Sequence, residues 1–396
     1  MNTPRLILIT NPGSSSRKYA LYREDELLCS LHFEFEGKKV VCTLKKADGF
    51  KKKLPTTYPD LNSTVGALNE ILTKEGFLGG VSKIDAILAR IVATGEYFTK
   101  DHLVDQECLK MLEIAKKRTP LHVPVVANEI EAFVKEFKDT PVIAISDSSF
   151  HSDRPNLMRY YAIDKDLADS AEIKRYGAHG LSVGSIVHYM VTQNLLPEKL
   201  IVCHLGSGSS ITAVYKGKSH DTTMGYTPLE GLMMSTRSGS IDPAAALAIK
   251  RAKKFTDDED LEQYLNKKCG LLGVSGVTDD MREIIRLRDE GDDRATFAHA
   301  MFVYRIQSEI GRMAASMNGV DAIVFTATIG ERSAEIRRCV SQKLDYLGFE
   351  LDNTKNDSSL ENRHENLAAE GSKPIYVIRT DEFEEMIRRA KVILDK

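Results

Sequence analysis

Apolar residues run unbroken from Leu6 to Ile9 within a strand expected at 5–10, give way to the polar turn "NPGSSSR", and resume within a second strand at 18–22. A short unbroken apolar run bounded by turn residues predicts a buried strand, and the alternation at 27–33 and in "VVCTL" at 40–44 continues the series. Helical spacing follows at 61–77, a strand in "IDAILARIV" at 84–92, helices at 105–117 and 124–137, and a strand in "PVIAIS" at 141–146. The order then returns. "KLIVCHL" at 199–205 reads as a strand and "SSITAVYKGK" at 209–218 as its hairpin partner. Helices are predicted at 243–254, 259–267, 280–289, 295–317, 333–346 and 382–394, with strands in "DAIVFTA" at 321–327 and "PIYVI" at 374–378. The polar stretch 351–373 reads as a surface loop.

Each half therefore opens with strand, Gly/Ser turn and strand, which predicts a duplicated α/β domain with a ligand cleft between the copies. The length of 396 residues suits two domains or three. A formal net charge of -3, with no basic tract or acidic tail, argues against nucleic acid or a membrane surface as partner. The six cysteines are scattered without a C-x-x-C pair, so no disulfide framework or zinc spacing is visible and a reducing cytoplasm is expected. The first apolar run is too short for a signal peptide or a membrane span.

Four motifs carry candidate chemistry. From Asn11 to Lys18, glycine and small hydroxyl residues let backbone N–H groups converge on an anion, and Lys18 adds a charge. This is no Walker A loop, since the G-x-x-x-x-G-K spacing is absent. Alone, it is equally compatible with an ordinary hairpin turn. "HLGSGSS", His204 to Ser210, repeats the device after the strand of the second half. In "DTTMGYTPLEGLMMSTRSGSIDP" at 221–243, Arg237 stands among serines and glycines, and its planar fork suits a carboxylate or phosphate. In "RYGAHG", His179 has room to meet a ligand between Ala178 and Gly180, although a lone histidine is more often structural.

These motifs, with "ARIVATGE", "TPLHVP", "ISDSSFH", "GLLGVSGVTDDMR", "FTATIGERSAEIR" and "TDEFEE", resemble the acetate kinase family of short-chain carboxylate kinases nearly end to end. That family shares its fold with sugar kinases, actin and heat-shock chaperones. The resemblance implies an α/β fold of two duplicated actin-like (ribonuclease-H-like) domains, each a mixed five-stranded sheet with flanking helices. The expected N-terminal domain is 1–147 plus 383–396, and the expected nucleotide-binding domain is 148–382. The implied activity is reversible phosphoryl transfer from ATP to acetate, giving acetyl phosphate and ADP. It further implies Mg2+ as cofactor, no nucleic-acid or membrane partner, a cytoplasmic enzyme and a homodimer.

Carried over by position, Arg90 and Arg237 resemble the pair holding the carboxylate and the transferring phosphoryl group, with His179 and His122 beside it. Asn11 and Glu382 resemble the magnesium ligands, and Asp147 the acidic residue that orients water, metal or an arginine. Lys18, His204, Leu205, Gly206, Ser207 and Gly208 resemble phosphate-contacting positions. Asp280, Met281 and Arg282, with Ala327, Thr328, Ile329, Gly330 and Glu331, resemble the other nucleotide-contacting segments. Departures are Ala93-Thr94-Gly95 for the usual His-Gly-Gly, Ser207 for Asn, "ATIGER" for "GGIGEN", and Ser240 for Asp. The "ATIGER" change leaves pyrophosphate open as an alternative donor. Ala178 stands where the family commonly has Phe, in an acyl pocket that Ile91, Val92, Leu121 and Pro228 would complete. Propionate or butyrate is then an alternative to acetate. A catalytically silent ligand-binding relative is the remaining alternative.

Overall fold

Strand β1 (Leu6–Pro12) buries five consecutive residues, Leu6 to Thr10. A strand covered on both faces must lie inside a sheet flanked by other layers. The computed structural model describes residues 4–13, 16–37, 39–54, 58, 60–79, 83–119, 123–358 and 362–395, and divides into two units, Met1–Ser149 with Glu382–Lys396 and Phe150–Asp381.

In the first unit β1 is followed by β2 (Ser16–Arg23), β3 (Glu26–Glu36), β4 (Lys39–Lys46), β5 (Lys51–Leu54), β6 (Ala86–Ile91), β7 (His102–Leu103) and β8 (Val142–Ser146). Their order across the sheet is β5-β4-β3-β2-β1-β6-β8-β7. β1 is antiparallel to β2 and parallel to β6, and β6 is parallel to β8. The helix Val123–Glu136 buries Val123, Val126, Ala127, Ile130 and Phe133, a stripe at helical spacing. The C-terminal helix Glu382–Leu394 is tied into this unit by polar contacts. Arg389 donates to Asp101 and to the Ser146 carbonyl, Lys391 pairs with Asp25 at 2.8 Å, and Arg5 pairs with Asp395 at 2.7 Å.

The second unit holds β9 (Lys199–Leu205), β10 (Ser209–Tyr215), β11 (Lys218–Thr222), β12 (Ala322–Thr326), β13 (His364–Asn366) and β14 (Ile375–Ile378). Their order is β11-β10-β9-β12-β14-β13. β9 is antiparallel to β10 and parallel to β12, and β12 is parallel to β14. The five strands β3-β2-β1-β6-β8 and the five strands β11-β10-β9-β12-β14 therefore share one topology. The expected five-stranded cores are present, but the described sheets are larger: β4, β5 and β7 extend the first and β13 extends the second.

Other predictions shift. The helix expected at 61–77 covers Thr64–Lys74, and that expected at 333–346 stops at Ser341 before a short 3-10 turn at Asp345–Leu347. Residues 351–373 are not simply loop: they hold the helix Asn353–Asp357 and β13. Their order comes from polar anchors that hydrophobic periodicity does not register. Asp352 caps the helix through Thr354 and Lys355 N–H groups, and fully buried Asn356 accepts from Arg337 Nε at 2.8 Å. The helix Gly180–Thr192 has no predicted counterpart because its first eight residues are all buried, small polar ones included, which leaves no clear polar face to set a period. Among the described residues, no helix is long and apolar enough to cross a membrane.

One buried ion pair lies beneath the first Gly/Ser turn. Arg17 Nε is 2.6 Å from Glu129 Oε2, with both side chains almost wholly excluded from solvent. Arg17 also donates to the Gly13 carbonyl and to Asn62 Oδ1, and Thr10 donates to Glu129. Burial pushes the Glu129 carboxyl up to about 7, against the opposing pull of Thr10 and Arg17. A raised carboxyl pKa contributes stability that is present below the unfolded value, about 4.3, and lost as pH rises through about 7. Arg17→Met removes the compensating cation and moves that loss to higher pH. Chemical denaturation should show this variant about 3 kcal/mol less stable than the parent at pH 8, with a narrower gap at pH 6. Adding Glu129→Leu should recover most of the loss, because a buried pair replaced whole by apolar groups leaves no stranded charge.

Candidate active site

In the first unit, four predicted residues meet at the carboxyl ends of central strands. Asn11 is near the end of β1, opposite exposed Lys18 in the β1–β2 register. Arg90 is the penultimate residue of β6, and Asp147 directly follows β8. Glu382 opens the C-terminal helix. Arg90 Nη2 donates to Asp147 Oδ2 at 2.9 Å, and Nη1 lies 3.4 Å from Asn11 Oδ1 and 3.8 Å from Glu382 Oε2. Asp147 is fully buried. Burial opposes the charge on Arg90, but the Asp147 and Glu382 carboxylates outweigh it and raise its pKa above the ordinary value. Among the described residues, Arg90 Nε is buried without a hydrogen-bond partner, so the guanidinium keeps donor capacity in reserve. His122, Leu121 and Ser14 lie outside the described residues.

In the second unit, the β9–β10 turn brings a further set together. Gly206 N–H donates to the Gly208 carbonyl at 3.0 Å, closing the turn. The rings of His179 and His204 stack with centroids 3.9 Å apart. Each ring is held by a hydroxyl: His179 Nδ1 is 2.9 Å from Ser210 Oγ, and His204 Nδ1 is 2.8 Å from Ser182 Oγ. His179 adopts φ 60° immediately before the helix Gly180–Thr192. A Cβ on Gly208 would come within 3.2 Å of His179 Nε2 and 3.4 Å of Arg237 Nη1, so the three residues converge on one spot. An imidazole, a guanidinium and a side-chain-free backbone in that arrangement suit an anion.

Beneath the stretch lies His151, which the sequence reading did not single out although "ISDSSFH" contains it. It is buried, with Nδ1 2.8 Å from Ser219 Oγ and Nε2 3.0 Å from the Ala178 carbonyl. Gly177, at φ 81°, lets the chain pass over it: a Cβ there would sit 2.9 Å from the His151 ring.

The nucleotide-type positions divide. Ser207, Asp280, Met281, Arg282, Thr328 and Ile329 line one cavity of about 480 Å3, together with Arg332, the last residue of the departing "ATIGER" segment, and with Ser235, Asp279, Ile285 and Ser333, which sequence reasoning missed. Asp280 also caps the helix Met281–Asp289. Glu331 lines a different cavity of about 660 Å3 with Arg332 and Arg337. Its carboxylate accepts from the backbone N–H groups of Ala327 at 3.0 Å and Thr380 at 3.3 Å, holding its own segment in shape. Leu205 is buried in the apolar core, and Gly330 packs against Phe325 and Cys203.

A family model described as the acetokinase family matches residues 6–389. This chain belongs to the acetokinase family. It is 36% identical over 394 residues to an acetate kinase of Sulfurovum sp. strain NBC37-1, covering 98% of this chain and 99% of that one. It is 38% identical over 398 residues to an acetate kinase of Clostridium botulinum strain Kyoto, covering 98% and 100%. A solved propionate kinase from Francisella tularensis superposes with a TM-score of 0.89 at 34% identity, covering 97% and 98%. The acetate kinase of Porphyromonas gingivalis gives 0.87 at 31%, covering 99% and 100%.

Gly208→Ala tests the convergence at the β9–β10 turn. The added methyl presses on His179 and Arg237, so acyl phosphate formation should fall about 10–100-fold in kcat while the melting temperature stays near the parent value. Unchanged kcat would show that the three residues do not act on a common group.

Proposed function

We propose that this member of the acetokinase family is an acetate kinase, transferring the γ-phosphoryl group of ATP to acetate and back. Family membership over residues 6–389 supports the activity. The observation that carries the chemistry is the convergence of Gly208, His179 and Arg237.

A carboxylic acid with a pKa of about 4 is already ionised at pH 7, so the attacking oxygen needs no general base. An acetate oxygen attacks the γ-phosphorus in line. The bond from that phosphorus to the bridging oxygen breaks, its electron pair leaves on ADP, and no proton moves. The demands on the protein are charge neutralisation and alignment of a loose anionic transition state. Arg90 and Arg237 supply the cations, and His179 donates to the transferring group with its tautomer set by Ser210. His122 is assigned a similar supporting role. Asp147 orients Arg90. Asn11 and Glu382, which both face Arg90 Nη1, offer the oxygen donors a hard cation prefers and would hold Mg2+. Mg2+ supplies neutralisation of the nucleotide phosphates. Lys18, His204, Gly206, Ser207 and Gly208 serve the phosphates, and the 480 Å3 cavity serves the nucleoside.

A homodimer in the cytoplasm completes the reading. The helix Pro243–Lys253 supports a partner surface: it contains "AAALAI" yet buries no residue in this chain. A second reading, propionate or butyrate as preferred acceptor, is favoured by Ala178 beside His179. A methyl in place of a ring leaves room for methylenes, each worth about 0.8 kcal/mol when buried.

Acyl phosphate trapped with hydroxylamine, over acetate, propionate and butyrate against ATP and pyrophosphate, tests both readings. Turnover with ATP and Mg2+ is expected. Turnover with pyrophosphate alone would replace the donor, and none at all from folded protein would favour a silent binding relative. Arg237→Ala should lower kcat by about 100–1000-fold. Ala178→Phe should raise the acetate/butyrate ratio of kcat/KM; an unmoved ratio would remove Ala178 from the acyl pocket.

A further inference from the structure

The 480 Å3 cavity carries more than room for a nucleoside. Met281, Ile285 and Ile329 give it apolar walls suited to the faces of a purine. Two charged side chains on its lining neutralise each other: Arg282 donates to Asp280 through Nε at 3.0 Å and Nη2 at 2.5 Å. Two others do not. Among the described residues, neither the Asp279 carboxylate nor the Arg332 guanidinium makes a hydrogen bond or ion pair, with each other or with any other group. Both are exposed on the same cavity lining.

Resting on the reading of this cavity as the donor nucleoside site, we propose that it recognises a guanine base, and that GTP is the preferred phosphoryl donor. A guanidinium presents two parallel N–H groups and needs two neighbouring acceptors. Guanine offers O6 and N7 side by side, whereas adenine offers N7 beside an amino donor. A carboxylate needs donors, and guanine presents N1–H and the 2-amino group together on its other edge. Adenine sets its single 6-amino donor beside an acceptor nitrogen. A phosphate group satisfies Arg332 but faces Asp279 as a like charge, so the pair fits a base edge with both donors and acceptors better than a second anion. The cavity thus assigns Arg332 and Asp279 as specificity determinants.

The test compares kcat/KM for GTP and ATP at saturating acetate and Mg2+, in the parent protein and in Arg332→Asn and Asp279→Asn. Calorimetric binding of GDP, IDP and ADP provides a readout independent of turnover. Both side chains are exposed, so neither substitution threatens the fold. The expected GTP/ATP ratio is at least 1 in the parent and falls at least fivefold in each variant, since a bidentate base contact discriminates by roughly 5- to 150-fold. Arg332→Asn should weaken GDP and IDP alike, and Asp279→Asn should weaken GDP more than IDP, which lacks the 2-amino group. A parent ratio below 1, or a smaller fall in either variant, overturns the proposal while leaving the kinase reading intact. No turnover with either nucleotide would overturn the nucleotide-donor reading on which the proposal rests, and the proposal with it.

Discussion

Strands buried on both faces can present polar side chains to a ligand only where they end. β1, β6 and β8 in the first unit, and β9 and β12 in the second, are buried along almost their entire length. Asn11, Arg90 and Asp147 stand at the ends of the first three, and His204 and Ala327 at the ends of the other two. Ligand groups gathering at the carboxyl ends of parallel strands follow from this constraint. Much of the rest of each unit covers these strands or stiffens the turns beyond them.

The stiffening is polar, and it is expensive to break. Arg90 stays cationic in a partly buried setting because Asp147 and Glu382 face it. Arg17 ties the first Gly/Ser turn to the helix Val123–Glu136 through Glu129. Arg337 is buried too, and donates to the carbonyls of Gly330 and Glu331 and to Asn356. Desolvation lowers its pKa to about 10, yet it remains charged at neutral pH. Each arginine spans two or three chain segments with fixed geometry, which a flexible apolar contact does not do.

Such rigidity suits a reaction in which the protein makes no covalent bond to substrate and moves no proton. The proposed work is to cancel charge and hold atoms in line. The His179 ring illustrates the cost: a non-glycine residue at φ 60°, stacked on His204 and fixed by Ser210, occupies a conformation that local sequence preference disfavours. Two residues earlier Gly177, at φ 81°, lets the chain pass close to the buried His151 ring, which is held by the Ala178 carbonyl.

The apolar pattern by itself determined the central strands, the amphipathic helices and the repeated strand–turn–strand opening, because burial imposes a period on any chain that forms those elements. The motifs marked the candidate chemistry, including Asn11, Arg90, Asp147, His179, Arg237 and Glu382. What the pattern did not contain was order made by polar contacts or by burial on all sides. The segment 351–373, anchored through Asn356, and the helix Gly180–Thr192 have no period to read. Nor did spacing along the chain separate the nucleotide-type positions. Only the tertiary structure decided that Ser207, Asp280 and Thr328 share a cavity with Asp279 and Arg332, while Glu331 braces its own segment. Proximity of residues tens of positions apart depends on strand order and side-chain direction, which no local signal specifies.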